Sequence, residues 1–316
     1  RVSRGLGDVY KRQTLWIVKL ISAGLKLLGK NATYYPGKLA LDMCPGFMGM
    51  LDKPKTIIGV TGTNGKTTVS NMINDILIDN GYKIINNKYG SNIDAGIATT
   101  LLQGATLFGK SKKEIAVLEI DERSAPKVFP YITPTYLICT NIFRDSLMRN
   151  AHTEFISEIV SKNVPKDTIV IENADDLICS GIAPNNAKIY FSIDKLDTDT
   201  KEPHNIVRDI ITCPVCNTKL EYEYYRYHHI GKAHCPKCGF GTPKADYIAN
   251  NIDINNKKMC IKTPTGEQEF KLITDNIIII YNISVLAFFL GYIKCCISYL
   301  KPVSYTHLTL PTNSLV

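Results

Sequence analysis

Between residues 56 and 81 the chain reads TIIGVTGTNGKTTVSNMINDILIDNG, and this stretch limits the fold most tightly. Residues 56–61 (TIIGVT) are apolar and β-branched, as a buried strand requires. The following segment, 67–81, spaces Val69, Met72, Ile73, Ile76 and Leu77 as one face of a helix and stops at Gly81. A strand, a Gly-rich turn and a helix in that order make a phosphate-holding loop. Gly62 and Gly65 let the backbone turn its N–H groups toward an anion, and the helix N-terminus adds partial positive charge. On this reading Gly62, Thr63, Asn64, Gly65, Lys66, Thr67 and Thr68 surround phosphates. Lys66 reaches the β and γ positions and the Thr67 hydroxyl holds Mg²⁺. Val60 stands where the longer form of the loop carries its first Gly, which counts against a generic phosphate-loop ATPase. A plain strand–helix turn is the alternative, but it has no use for the Lys66–Thr67 pair.

Further apolar runs follow at 82–86, 115–120, 135–141, 168–173 and 188–193, with helical patterns over 94–103 and 152–162 between them. Strand and helix alternating in this way predict an α/β fold with a doubly wound parallel sheet. Such sheets take ligands at the carboxyl ends of their strands, where the Gly loop, Glu119 and Asn141 all fall. Glu119 and Asp121 bracket the end of the 115–120 strand. A carboxylate there, beside a phosphate loop, is placed to hold Mg²⁺. The spacing fits a solvated strand end equally well.

The pattern breaks after about residue 203. Residues 213–240 are rich in Cys, Tyr, His and Lys and poor in aliphatics, too little core to stand without a staple. Cys213-Pro-Val-Cys216 and Cys235-Pro-Lys-Cys238 supply one: two Cys-x-x-Cys knuckles give four thiolates for a tetrahedral Zn²⁺, with Gly239 at the expected tight turn. Four thiolates close the coordination shell, so such a zinc is structural. Two disulfides are the alternative. They suit an exported chain, whereas residues 1–30 carry no secretory signal pattern, so a cytosolic, reducing compartment is expected. His228, His229 and His234 are not needed as ligands and read as surface residues. Cys44, Cys139, Cys179, Cys260, Cys295 and Cys296 show no metal spacing and read as small buried hydrophobes.

Net charge is +8, of which residues 1–13 contribute +3. That is too mild to argue for nucleic acid by itself and suits an anionic substrate. The window Ile277 to Ile293 is 17 residues without a charge, at the lower limit for a membrane span. Four consecutive isoleucines and the polar Asn282 favour a strand running into a buried helix instead. The two ends, 1–13 and 302–316, fit no periodic pattern and resemble translated adaptor sequence, so they are set outside the fold.

Several ordered motifs together resemble the Mur ligases, which join amino acids or ammonia to carboxylates. VTGTNGKTT (60–68) resembles their shorter Gly-x-x-Gly-Lys-Thr loop, which accounts for Val60. TNIFRDSL (140–147) is similar to the family's Thr-Asn-x-x-x-Asp segment and IENADD (171–176) to its Asn-Ala-Asp-Asp segment. YYPGKLALDMCPGFM (34–48) and the four-cysteine insert resemble one branch, the ligase subunits of lipid II isoglutaminyl synthases. The resemblance implies ATP-dependent amidation of the α-carboxylate of D-glutamate in the lipid II stem peptide, through an acyl phosphate. The ammonia would come from a GatD-like glutamine amidotransferase subunit paired with this one as a heterodimer. It implies Lys66, Glu119 and Asp145 as catalytic residues, Thr67 and Glu119 as Mg²⁺ ligands, and Asn141 lining the site. IYNISVLAFF (280–289) resembles the adenine-side Tyr-Asn segment in more than one register, with Asn282 beside the nucleotide.

The chain departs from that branch after Asp145, where Asp-Arg-Tyr-Gly-Glu is usual and Met148-Arg-Asn-Ala-His152 stands. The expected division is a helical segment over 14–54, a central ATP-binding domain over 55–204, a zinc ribbon insert over 205–247 and the rest of the central domain over 248–301. The family's C-terminal ligase domain is not in the sequence, so this chain alone is expected to be inactive. Two competing readings stand beside it. One is another Mur-type amide ligase acting on folate or an amino-acid polymer. The other is a nucleic-acid-binding ATPase whose ribbon grips DNA through YYRYHHIGKAH (224–234), a basic and aromatic mix.

Overall fold

A computed structural model describes residues 2–29, 32–144, 152–203, 209–272 and 274–296. Its central sheet is built on the strand that precedes the Gly loop, β1 (Thr56–Thr61). β1 pairs in parallel with β3 (Ile115–Glu119) on one side and β4 (Tyr136–Cys139) on the other. β2 (Ile84–Asn86), β5 (Ile169–Asn173) and β6 (Lys188–Ile193) extend the parallel part. β9 (Tyr247–Asp253) joins β6 in parallel, then β10 (Lys258–Thr263) and β11 (Gly266–Lys271) add an antiparallel edge. The strand order is β11-β10-β9-β6-β5-β4-β1-β3-β2. After β1 the chain moves out to β2 and returns through β3, then crosses β1 to reach β4. The order therefore reverses at β1, which is where such sheets open a crevice.

Successive side chains point to opposite faces of a strand, so β1 feeds two cores. Ile57 packs with α1 (Val2–Leu27), α2 (Tyr35–Met43), α3 (Phe47–Met50) and α5 (Asp94–Gly104) on one face. Ile58 and Val60 pack with α4 (Lys66–Asp79) and α8 (Ile277–Cys296) on the other. The first face also carries α6 (Ala125–Val128) and α7 (Thr153–Asn163). α2 lies so close to α5 that Gly37 has no room for a side chain, because a Cβ there would sit 1.9 Å from the Ala95 carbonyl. α1 is tied down at its middle, where the Lys19 ammonium donates to the carbonyls of Leu102 and Ala105 at the end of α5. A cation at a helix C-terminus is the favourable arrangement.

One expected element is of the wrong type. Residues 277–280 form the first turn of α8, not a strand. The four isoleucines favour a strand locally, but α8 lies between α4 and strands β6, β9 and β10. Burial around its circumference rewards an all-apolar helix. Among the described residues, no helix is long and apolar enough to cross a membrane.

Between β6 and β9 the chain leaves the sheet. It forms a separate hairpin of β7 (Glu221–Tyr227) and β8 (Ile230–His234), flanked by the four cysteines. Its own core is small: Leu177, Cys213, Leu220, Ala233 and Cys235.

Candidate functional site

Gly62 (φ +118°) and Gly65 (φ +87°) both adopt left-handed backbone geometry, so residues 62–65 turn sharply into α4. Space is as restrictive as torsion. A Cβ on Gly62 would lie 2.4 Å from the Thr140 hydroxyl, and one on Gly65 2.7 Å from the Asn282 amide. Neighbouring segments hold the loop from outside. Asn141 takes Asn64 N–H on its Oδ1 at 2.9 Å, donates Nδ2 to Asn64 O at 3.0 Å, and accepts Thr63 N–H on its own carbonyl at 2.8 Å. The Thr63 hydroxyl accepts from Phe143 N–H at 2.9 Å. Asn141 thus reaches the loop as expected, in the role of a clamp.

At the head of α4 the Thr67 hydroxyl donates to Glu119 Oε2 at 2.9 Å, and Asn92 Nδ2 reaches Glu119 Oε1 at 3.2 Å. The two residues expected to share Mg²⁺ are therefore side by side. A hydroxyl and a carboxylate are the hard oxygen donors that ion takes. Thr68 is half-buried one position on. Asp121 serves otherwise: it caps a 3₁₀ turn over Glu122–Ser124 by accepting Arg123 N–H.

That turn delivers a residue the spacing did not single out. Glu122 is buried, and its Oε1 accepts both Gly62 N–H at 2.8 Å and the Lys66 ammonium at 3.0 Å. Burial pushes its carboxyl pKa up, against the pull of Lys66. Lys66 also donates to the carbonyls of Gly62 and Thr63, so it lies folded along its own loop. Asn282 is fixed in register: its amide abuts Gly65, and its Nδ2 is buried without a hydrogen-bond partner among the described residues. Asp145 lies outside the described residues.

Beyond the ends of β6 and β9 lies a cavity of about 700 Å³, with Asp194, Asp197 and Asp275 among its lining residues. Lys195 and Arg226 line it beside these three carboxylates, so its charge is mixed.

The four cysteine sulfurs lie within 4.8 Å of one another as free thiols, Cys213 to Cys238 at 3.5 Å and Cys216 to Cys235 at 3.4 Å. A tetrahedron of thiolates on zinc has edges of about 3.8 Å, from Zn–S ≈ 2.3 Å, so the set fits that ion. The two knuckles repeat one geometry. Asn217 (φ +56°) and Gly239 (φ +77°) each follow the second cysteine in left-handed backbone. Each donates its N–H back to the carbonyl of the first cysteine, at 2.9 and 3.1 Å. Cys44, Cys139 and Cys179 are buried, as expected, and Cys260 is half-buried. The side chains of Cys295 and Cys296 lie outside the described residues.

His229 is not a surface residue. It sits in the hairpin turn with Nε2 3.0 Å from Asp176 Oδ1 and Nδ1 3.3 Å from Asp209 Oδ2, and it is 1% exposed. His228 is half-buried, and His234 alone of the three is exposed. Arg226, 2% exposed, and the buried Tyr224 also face inward. Tyr224, Arg226 and His229 are therefore not offered to nucleic acid, whereas Tyr227, Lys232 and His234 of the same stretch are exposed.

Burial opposes charge on His229, but the Asp176 and Asp209 carboxylates outweigh it and raise its pKa to about 9 from 6.5. The folded state then binds the proton more tightly than the unfolded one. Its contribution to stability is complete below pH 6.5 and is lost as pH rises through 9, on the order of 3 kcal/mol in all. Denaturant titrations across that interval are expected to show the parent losing its advantage over His229→Gln. Parallel curves would refute a charged His229.

Residues 60–210 match the Mur ligase middle domain. The MurT subunit of lipid II isoglutaminyl synthase (glutamine-hydrolyzing) from Staphylococcus aureus is 31% identical over 241 residues, which is 75% of this chain and 54% of that protein. Its Streptococcus pneumoniae counterpart is 34% identical over 239 residues, 74% of this chain and 52% of that one. Among solved structures, a pseudomurein peptide ligase type C from Methanothermus fervidus superposes with TM-score 0.56 at 29% identity, covering 76% of this chain and 47% of its own. The chain spans about half the length of these relatives.

Proposed function

Residues 60–210 form a Mur ligase middle domain, and on that premise we propose that the chain carries the ATP site of a peptidoglycan amide ligase. The reaction is amidation of the α-carboxylate of D-glutamate in the lipid II stem peptide. A carboxylate oxygen attacks the γ-phosphorus of ATP, and the bond to the ADP oxygen breaks. Ammonia then attacks the acyl carbon, inorganic phosphate leaves, and nitrogen loses a proton to give D-isoglutamine. The MurT relatives are glutamine-hydrolysing synthase subunits, which supports a glutaminase partner of the GatD kind as the ammonia source.

The observation that carries this reading is the Thr67–Glu119 contact at the head of α4, beside Lys66. Thr67 and Glu119 would hold Mg²⁺, which supplies charge neutralisation on the transferring phosphoryl group. Lys66 exchanges its loop carbonyls for the phosphate oxygens, and the amides of 62–65 orient them. Glu122 holds Lys66 and Gly62 in place and touches no substrate. Cys213, Cys216, Cys235 and Cys238 would hold a structural Zn²⁺, in an insert over 205–247 that interrupts a central domain formed by 55–204 and 248–301.

The test is ATP-dependent conversion of lipid II to its amidated form by the protein in its natural length. Ammonium chloride serves as nitrogen source, and product is read by mass spectrometry alongside ADP release. ADP release without the amide would point to another Mur-type ligase reaction. Neither product would sink the proposal.

A further inference from the structure

The tip of the β7–β8 hairpin, the end of β7 and the turn over residues 226–229, makes three separate contacts with segments that hold the Gly loop. The first runs through Arg226. Its guanidinium bonds Asp199 Oδ1 at 3.0 Å and Oδ2 at 2.8 Å, Asp175 Oδ2 at 2.8 Å, and the carbonyls of Ile193 and Asp194 at 3.1 and 2.8 Å. It also donates to the Tyr281 hydroxyl at 2.7 Å, which in turn donates to Asp175 Oδ2 at 2.7 Å. Tyr281 is thereby locked, and its neighbour Asn282 is the residue pressed against Gly65.

The second runs through His229. Asp176 receives His229 on Oδ1 and takes Ile142 N–H on Oδ2 at 2.8 Å. Ile142 follows Asn141, the clamp on Thr63 and Asn64. The third is aromatic. Tyr227, His228 and His229 surround the ring of Phe143 at centroid distances of 5.6, 5.4 and 5.2 Å, and the backbone of Phe143 bonds the Thr63 hydroxyl.

A hairpin needed only to close its own small core would leave its turn in water, where Arg and His are best solvated. Here the side chains of Arg226 and His229 are buried against the ends of β4, β5 and β6 and the first turns of α8. We propose that the hairpin turn is a brace for the phosphate loop, with Arg226, His229 and Phe143 as positioning residues that set residues 63–65 in their nucleotide-receiving form. The nucleotide part of this inference rests on the proposed function; the brace itself does not.

Two measurements on the full chain separate them. Amide hydrogen exchange at Thr63 and Asn64, both donated to Asn141, reads the brace without nucleotide. Calorimetric titration with Mg·ATP reads brace and nucleotide site together. Arg226→Lys keeps the charge and loses the two-pronged hold on Asp199, and His229→Gln keeps a hydrogen-bonding side chain. Both are expected to speed exchange at 63–64 on the order of tenfold and to weaken Mg·ATP by a similar factor, while amides of β1 and β4 exchange as in the parent. Phe143→Leu, which leaves the ionic network untouched, is expected to do the same more weakly. Exchange at 63–64 that stays at the parent rate in folded variants, or rises only in step with β1, overturns the brace. Faster loop exchange in the variants of a parent that does not bind Mg·ATP supports the brace and overturns the nucleotide reading.

Discussion

In the protein of natural length, Lys66→Ala is expected to lower ATP-dependent turnover on the order of 10²–10³-fold while leaving a folded protein. The rate loss follows from where the ammonium sits. It is 14% exposed, within the turn of the Gly loop, and is aimed along the backbone that would face the phosphates. A cation held there acts on charge that grows in the transition state, so its removal affects kcat more than KM. Folding survives because of Glu122. Burial already pushes that carboxyl toward its neutral form, and Lys66 is what opposes the push. Without Lys66, burial favours the neutral carboxyl more strongly, and the Gly62 N–H still bonds it. ADP release and thermal unfolding, measured on the same sample, check both halves. Turnover at the parent rate would remove the phosphate-loop reading. Unfolding of the variant would show that the fold depends on the Lys66–Glu122 pair.

Cys213→Ala or Cys235→Ala is expected to abolish zinc binding and unfold the β7–β8 hairpin. Five buried residues form the small core at the hairpin, two of them these cysteines and a third, Leu177, lent by the segment after β5. So small a core does not offset chain entropy by itself, whereas structural zinc sites contribute roughly 10–16 kcal/mol of apparent binding free energy. Elemental analysis should give one zinc per parent chain and none per variant. Amide exchange on β7 and β8 should rise toward the unfolded rate. Cobalt substitution should give the charge-transfer bands of four thiolates in the parent. A parent that binds no metal, with its hairpin still protected from exchange, would contradict the site.

How far the sequence reached depends on how local the cause was. The strands and helices of residues 56–193 are legible because their apolar periods are set residue by residue. The Gly loop is legible because left-handed geometry and close approach at 62 and 65 call for glycine. The four cysteines are legible because each knuckle is a five-residue geometry, though Asn217 as the counterpart of Gly239 was visible only in the backbone. Residues whose role comes from distant partners were missed. Glu122 stands in a charged stretch that reads as a solvated turn, and only the 3₁₀ turn after β3 carries it under Gly62. His229 reads as a surface residue until Asp176 and Asp209 meet it. The isoleucines of 277–280 read as strand because their burial comes from α4 and the sheet, tertiary neighbours that propensity cannot see.

The clamp between Gly65 and Asn282 joins positions more than two hundred residues apart, and this sets an order in time. During synthesis β1 and its loop leave the ribosome well before the first turns of α8. At ordinary elongation rates roughly 10–40 s separate the two. Over that interval the loop exists without its buried amide neighbour, without Asn141 for part of it, and without the hairpin turn for most of it. The full set of neighbours around the loop is a late product of folding, and it is completed only after the cysteine-rich excursion has been made and the chain has returned to β9 and α8.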